Sequence, residues 1–96
     1  MEDLDEIWRF IDRGSNAAAN RVEAEIVDAC RRLAARPLIG HHRRHITSLL
    51  VRFWTVPKYS NYVIVYRAET TPLRVIAILY GNRDLEQVLK DRLLGE

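Results

Sequence analysis

Positive charge is concentrated in the middle of this chain of 96 residues. Residues 29–68 contain no Asp or Glu, although the whole sequence has 13 acidic residues against 15 Lys and Arg. The same stretch holds all three histidines and these cations: Arg31, Arg32, Arg36, Arg43, Arg44, Arg52, Lys58 and Arg67. Such side chains bind phosphates or carboxylates, so their segregation predicts an acidic macromolecular partner.

Three imidazoles lie close together, at His41, His42 and His45. The spacing of His41 and His45 is one that zinc sites use. Two arginines, Arg43 and Arg44, lie inside the cluster and would repel a divalent cation, and no Cys or carboxylate is nearby. A basic loop that binds carboxylates or phosphates is therefore favoured over a metal site, and we expect neither a metal nor a cofactor.

Two helices are predicted to precede the basic loop and to hold it at one end of a hairpin. The first carries an apolar stripe at helical spacing, formed by Leu4, Ile7, Trp8 and Ile11. The second runs from Ser15 or Asn16 to about Ala35, and Pro37 with Gly40 ends it. Its inward face is predicted to consist of Ala18, Val22, Ile26, Ala29 and Leu33.

Three strands are predicted after Gly40, at residues 49–56, 62–68 and 74–80, because these segments are rich in Val, Ile, Tyr, Phe and Trp. Turn residues at 57–61 and 70–72 indicate an antiparallel meander. Both faces of the second and third strands are apolar, so each face needs a cover. We expect the helical hairpin to cover one face and a short helix at residues 84–94 to cover part of the other. The predicted fold is a single α+β domain over residues 1–96.

Composition excludes several classes of protein. No apolar run reaches the roughly 18 residues of a membrane span, and the acidic start is unlike a secretory signal, so the cytoplasm is the expected location. The lone Cys30 excludes an internal disulfide and is expected to be a small buried hydrophobe. Direct binding of nucleic acid is a secondary interpretation, because no helix-turn-helix, zinc finger or RNA-binding aromatic signature is present.

Five strings, in their order along the chain, resemble the RelE/ParE superfamily of bacterial type II toxins, and specifically its ParE-like branch. They are DLDEIWRFI at residues 3–11, ACRRLAARPLIG at 29–40, VRFWTV at 51–56, YSNYVIVYR at 59–67 and IAILYGNRDL at 76–85. The resemblance covers nearly the whole chain, and its specificity comes from the series rather than from any one string. The family usually opens with a strand before the first helix, whereas Met1 here falls almost on the helix start. Either the true start lies upstream, or the sheet has three strands with a bare edge.

The resemblance implies a toxin that a cognate ParD-like antitoxin holds inactive. Antitoxin tails in this family are commonly acidic, which suits the basic, acid-free middle of this chain. Residues expected to contact the target or the antitoxin are Arg43, Arg44, Arg52, Trp54, Lys58, Arg67 and Arg83.

Members of the superfamily differ in their target: RelE-like proteins cut messenger RNA in the ribosome, whereas ParE-like proteins inhibit DNA gyrase. Cutting requires cations around a phosphate and a proton carrier, and the candidates are Arg52, Lys58, Arg67, Tyr80 and Arg83. A tuned acid and base pair is hard to assemble from this set, because Glu69 is the nearby carboxylate and no histidine follows residue 45. A gyrase inhibitor that is not an enzyme is therefore favoured, with the endonuclease as the alternative and an inactive relic that only binds antitoxin as a third possibility.

The same cations have structural interpretations as well. Arginine stems on a two-sided sheet can pack against aromatic neighbours such as Trp54 and Tyr66. The Arg83 and Asp84 pair is favoured as a simple helix start. These alternatives stay open from the sequence.

Overall fold

The computed structural model describes residues 16–43, residues 50–81 and Gln87. These residues form one long helix, α1 (Asn16–Ala35), a 3-10 turn (Pro37–Ile39) and the strands β1 (Arg52–Thr55), β2 (Tyr62–Arg67) and β3 (Arg74–Tyr80). The predicted α+β class is confirmed. The predicted first helix and, apart from Gln87, the predicted helix at residues 84–94 lie outside the described residues, so the hairpin and the closing helix stay predictions.

Helix α1 presents a narrow apolar stripe to the sheet. Its buried residues are Ala19, Val22, Ile26, Ala29 and Leu33, which recur at alternating spacings of three and four. Four of them match the predicted inward face, but the position given to Ala18 belongs to Ala19, which is fully buried while Ala18 is half-buried. The difference is one of register within the first turn, where several alanines follow one another and hydropathy cannot choose among them.

Pro37 ends α1 where the sequence predicts. The residue before it, Arg36, has φ −136° and ψ 76°, outside the helical region. A proline disfavours helical geometry in the preceding residue, because its ring clashes with that residue's backbone. The chain then makes the short 3-10 turn and reaches Gly40 in an extended conformation.

The three strands form an antiparallel meander in the order β1-β2-β3. In the central strand the first five residues are buried, as expected for a strand covered on both faces. Tyr62, Ile64 and Tyr66 face α1, while Val63 and Val65 face the opposite side. Strand β1 is shorter than the predicted strand at residues 49–56. On its other edge, Phe53 of β1 exchanges two backbone hydrogen bonds with His41, of 2.8 and 2.9 Å.

A β-bulge in β3 adjusts which residues face α1. Val65 pairs with Ala77 but the next residue, Tyr66, pairs with Val75, so Ile76 is extra. Val75 packs with the helix-side cluster and Ile76 with the cluster on the other face. The bulge therefore lets two adjacent apolar residues contribute to opposite faces.

The face of the sheet away from α1 is also buried. Its cluster consists of Val51, Phe53, Val63, Val65, Ala77 and Leu79, each less than 9% exposed. The prediction that both faces are apolar and covered is confirmed by this burial. Among the described residues no helix has the length and apolar character needed to cross a bilayer.

Candidate partner-binding site

Tyr66 fastens the end of α1 to the sheet. Its side chain is fully buried, and its hydroxyl donates a hydrogen bond to the Pro37 carbonyl oxygen at 2.5 Å. The same hydroxyl accepts a hydrogen bond from the Gly40 backbone N–H at 2.9 Å. Burial raises the pKa of the Tyr66 phenol, against smaller lowering effects of the Gly40 hydrogen bond and the Arg52 charge. The hydroxyl therefore keeps the proton that it donates to Pro37.

Gly40 is where the turn approaches Tyr66 most closely. A Cβ at this position would lie 2.8 Å from Cε1 and 2.9 Å from Cζ of the tyrosine ring. Real Cβ atoms do not come so near other atoms, and the buried ring has no room to withdraw. Glycine is therefore required by this close approach. Gly40 does not end the helix as the sequence predicts, because α1 already ends at Ala35 and Gly40 follows the 3-10 turn.

Arg52 completes the attachment from the neighbouring strand. It pairs with Tyr66 across β1 and β2, and its Nη1 donates to the carbonyl oxygens of Gly40 at 2.8 Å and Leu38 at 3.3 Å. A cation predicted to hold a phosphate or a carboxylate thus has one nitrogen committed to the turn. We call this end of the sheet, with Pro37, Leu38, Gly40, Arg52 and Tyr66, the clipped end.

A pocket of about 200 Å³ opens beside Arg52 at the clipped end, lined by Leu38, His42, Leu50, Arg52, Ala68 and Glu69. Leu38 is 71% exposed and Leu50 is 70% exposed, which is unusual for two leucines on one pocket. The His42 ring contacts the Val51 carbonyl oxygen through Nδ1 at 3.1 Å. A carbonyl can only accept, so Nδ1 carries the hydrogen of this bond.

Other cations gather near this end. The Arg43 guanidinium lies 5.1 Å from the centre of the Phe53 ring, within the range of a cation–π contact. Arg67 and Arg74 are paired residues at the adjoining ends of β2 and β3. The Thr70 hydroxyl accepts from the Arg74 backbone N–H at 2.9 Å and contacts the Arg67 carbonyl at 3.4 Å, which fixes the turn that joins them. Arginines from all three strands therefore lie at one end of the sheet.

The opposite end of the sheet carries the other candidates. Lys58 lies in the turn after β1 with φ 71°, and its Nζ is 3.3 Å from Oε1 of Glu25 on α1. Tyr80 pairs with Tyr62 at the far end of β3, with ring centres 5.0 Å apart, and is 55% exposed. We call this end, with Lys58, Tyr62, Tyr80 and Gly81, the turn end.

The six residues of β2 separate the two ends, which is a distance of about 17–20 Å. Arg52 and Arg67 lie at the clipped end, whereas Lys58 and Tyr80 lie at the turn end. The described members of the nuclease set are therefore not brought together. Arg83 and Arg44 lie outside the described residues.

Comparison with known protein families indicates what kind of protein carries these two sheet ends. The model of the family described as the ParE toxin of the type II toxin-antitoxin system, parDE, matches residues 1–85. This chain belongs to that family. A search of curated proteins found no significant match. The family match confirms the resemblance given by the five strings and places this ParE-family chain in a toxin–antitoxin system.

Trp54 of this ParE-family chain packs partly against the core. Its ring is half-buried against the helix-side cluster, and it pairs with Ile64 of β2. Its indole Nε1 is buried and has no hydrogen-bond partner within the part of the chain that the structure describes. Half-buried Cys30 packs against the same cluster, and burial raises the pKa of its thiol, as expected of an unreactive cysteine.

Sequence reasoning missed the neutral and acidic members of the pocket. Leu38 and Leu50 were not candidates, and His42 and Glu69 were considered separately. The one local signal was the position of Leu38, in the short turn between Pro37 and Gly40. Leu50 gives no comparable signal, because it lies between Leu49 and Val51 in an apolar run.

Proposed function

We propose that this ParE-family toxin inhibits bacterial growth in the cytoplasm by binding DNA gyrase, without catalysis of its own. We further propose that a cognate ParD-like antitoxin neutralises it by covering the toxin's cationic surface. Membership of the ParE family supports this choice of target over the ribosome, because gyrase is what the resemblance to the ParE-like branch implies.

The separation of the two sheet ends is the observation that carries the noncatalytic part of the proposal. Cleavage of a phosphodiester needs its cations and proton carrier within hydrogen-bond reach of one phosphate. Arg52 and Arg67 are separated from Lys58 and Tyr80 by the length of β2. Nη1 of Arg52 is also engaged by two carbonyl oxygens of the turn. These residues act better as separate binding groups than as one active site.

The proposed contact surface is the cationic clipped end. Arg43, Arg52, Arg67 and Arg74 lie there and outnumber Glu69, the acid that lines the pocket at the same end. Such a surface attracts an acidic partner over a distance of about 8–10 Å at physiological salt. Lys58 and the half-buried Trp54 remain candidates for contacts elsewhere on the same partner.

The decisive experiment adds the purified chain to purified DNA gyrase, relaxed plasmid and ATP. We expect loss of supercoiling that rises with the concentration of the chain, and no new transcript ends in cells that express it. Arg74→Ala, which removes an exposed cation from the clipped end, should weaken inhibition. Arg21→Ala, which removes an exposed cation from α1, is the matched control and should leave inhibition unchanged. Intact supercoiling at saturating protein, together with in-frame cuts in transcripts, would replace gyrase with the ribosome as the target.

A further inference from the structure

The pocket at the clipped end combines apolar walls with a fixed cation. Leu38 and Leu50 line it, and both are more than two-thirds exposed, so neither is used by the described core. Ala68 adds a third apolar wall. Exposure of two large apolar side chains to water on one concave surface is unfavourable. An apolar side chain from a partner would bury them and so stabilise the complex.

The volume of the pocket suits a single side chain. A dry cavity of about 150 Å³ is enough to hold benzene, so about 200 Å³ accommodates a Leu, Ile or Phe side chain. The pocket is therefore an anchor site for one residue, not a groove for a whole helix.

Arg52 forms a polar wall that is already ordered before a partner binds. Its two hydrogen bonds to the turn hold the guanidinium in place through Nη1. The planar group also carries Nε and Nη2 donors, to which a carboxylate can bind without further ordering of the side chain. Because a held side chain loses little entropy on binding, the turn prepares Arg52 to bind an anion.

Glu69 sets the polarity of the pocket. It is the first acid after the acid-free stretch, and it lines the same pocket as Arg52 and His42. A bound carboxylate is therefore favoured on the side of Arg52 and disfavoured beside Glu69. Charge complementarity thus selects an acidic partner with a defined orientation.

We propose that this pocket anchors the antitoxin through one apolar side chain, on a segment with an Asp or Glu close to the anchor residue that binds Arg52. The inference rests on the proposed function in assuming an antitoxin, and it adds the site and the chemistry of the contact. The leucines bind the anchor side chain, Arg52 binds the neighbouring carboxylate, and Glu69 opposes the reverse orientation.

The test measures by calorimetry how tightly the chain binds its antitoxin, to be sought as a small acidic protein encoded next to the toxin. Leu38→Ser and Leu50→Ser should each weaken binding about tenfold, because anchor contacts near an interface centre have effects of this size. The double variant should weaken it more than either single variant. Tyr80→Ser removes an exposed apolar side chain at the turn end and should change affinity less than about twofold.

A substitution of Glu69 tests the polarity of the pocket. Glu69→Gln should tighten binding about two- to fivefold, because it removes a like charge from the pocket rim. The tightening should shrink as NaCl is added, because salt screens the repulsion. An unchanged or weaker affinity for Glu69→Gln would overturn the acidic character of the bound segment.

Several outcomes separate failure of the pocket from failure of the toxin assignment. If the wild-type chain does not bind the antitoxin, the proposed function fails. If wild type binds and the leucine variants bind equally well, only the pocket inference fails. Sedimentation of the chain without antitoxin supplies a further readout. If wild type is a dimer, Leu50→Ser is a monomer and both bind the antitoxin equally well, the pocket binds a second copy of the chain, and the inference is overturned.

Discussion

Both ends of the sheet carry cations, several at the clipped end and Lys58 at the turn end, but the two ends differ in how those cations are held. At the clipped end, Tyr66 and Arg52 together make four hydrogen bonds to the short turn after α1. At the turn end, Lys58 reaches Glu25 through an ion pair whose lysine is 75% exposed. Hydrogen bonds within the fold can therefore order a cation such as Arg52 before a partner binds. Residue type alone does not tell such an ordered cation from an exposed one such as Lys58.

The largest expected difference comes from the same substitution at two glycines. Gly40→Ala should lower the free energy of unfolding by about 2–4 kcal/mol, because the new methyl collides with buried Tyr66 and displaces its hydrogen bonds. Gly81→Ala has nothing within 4 Å of the new Cβ, so its φ of 78° is the only source of strain. We expect about 1 kcal/mol there. Urea unfolding of both variants measures the comparison, and equal losses would refute a close approach specific to Gly40.

Removal of single hydroxyls should give the next largest difference. Tyr66→Phe leaves the Pro37 carbonyl and the Gly40 N–H without their partner, at a cost of about 1–3 kcal/mol. Tyr62→Phe is the matched control, a similarly buried tyrosine of the same strand, and should lose less than about 0.5 kcal/mol. In the Tyr66→Phe background, Gly40→Ala should cost less than in wild type, because one of the colliding atoms is gone. Additive losses in that double variant would argue against a direct collision.

A third comparison concerns the two cations. Arg52→Gln removes the donors to Leu38 and Gly40 and should cost about 1–2 kcal/mol. Lys58→Ala removes an exposed ion pair and should cost less than about 0.5 kcal/mol. Thermal unfolding at low and high NaCl checks both values, since salt should abolish most of the Lys58 effect. A larger loss for Lys58→Ala would reverse the assignment of structural and exposed cations.

Alkaline pH should give the smallest effect. Burial holds the pKa of Tyr66 above its usual value of 10.0, so ionisation is harder in the folded state than in the unfolded chain. The stabilisation is fully present below about pH 10 and is lost as the pH rises through the folded-state pKa. The melting temperature of wild type should therefore fall more steeply than that of Tyr66→Phe between pH 9 and 11. Parallel falls would show that Tyr66 is not the group responsible.

The sequence predicted those features that depend on local periodicity. The stripe of α1, its end at Pro37 and the two apolar faces of β2 all follow from spacing within one element. The bounds of β3 were also predicted correctly, although the bulge at Ile76 was not. The start of β1 was placed too early, because apolar content does not reveal where strand pairing begins.

The clipped end and its pocket depend on contacts between distant residues. Tyr66 is 26 residues from Gly40 and 29 from Pro37, so no local pattern announces their hydrogen bonds. Arg52 was recognised as a cation, but its carbonyl partners are set by the fold. The pocket joins Leu38 to Glu69 for the same reason. Charge segregation therefore predicts an acidic partner from the sequence alone, whereas the pocket proposed for its anchor residue depends on the packing of the turn on the sheet.

Hydrogen–deuterium exchange of the toxin with and without its antitoxin tests partner binding at the clipped end most directly. We expect slowed exchange at residues 38–42 and 50–52 in the complex, with little change at residues 57–61 and 80–81. Slowed exchange confined to residues 57–61 and 80–81 would place the partner at the turn end and contradict the binding surface proposed for this ParE-family toxin.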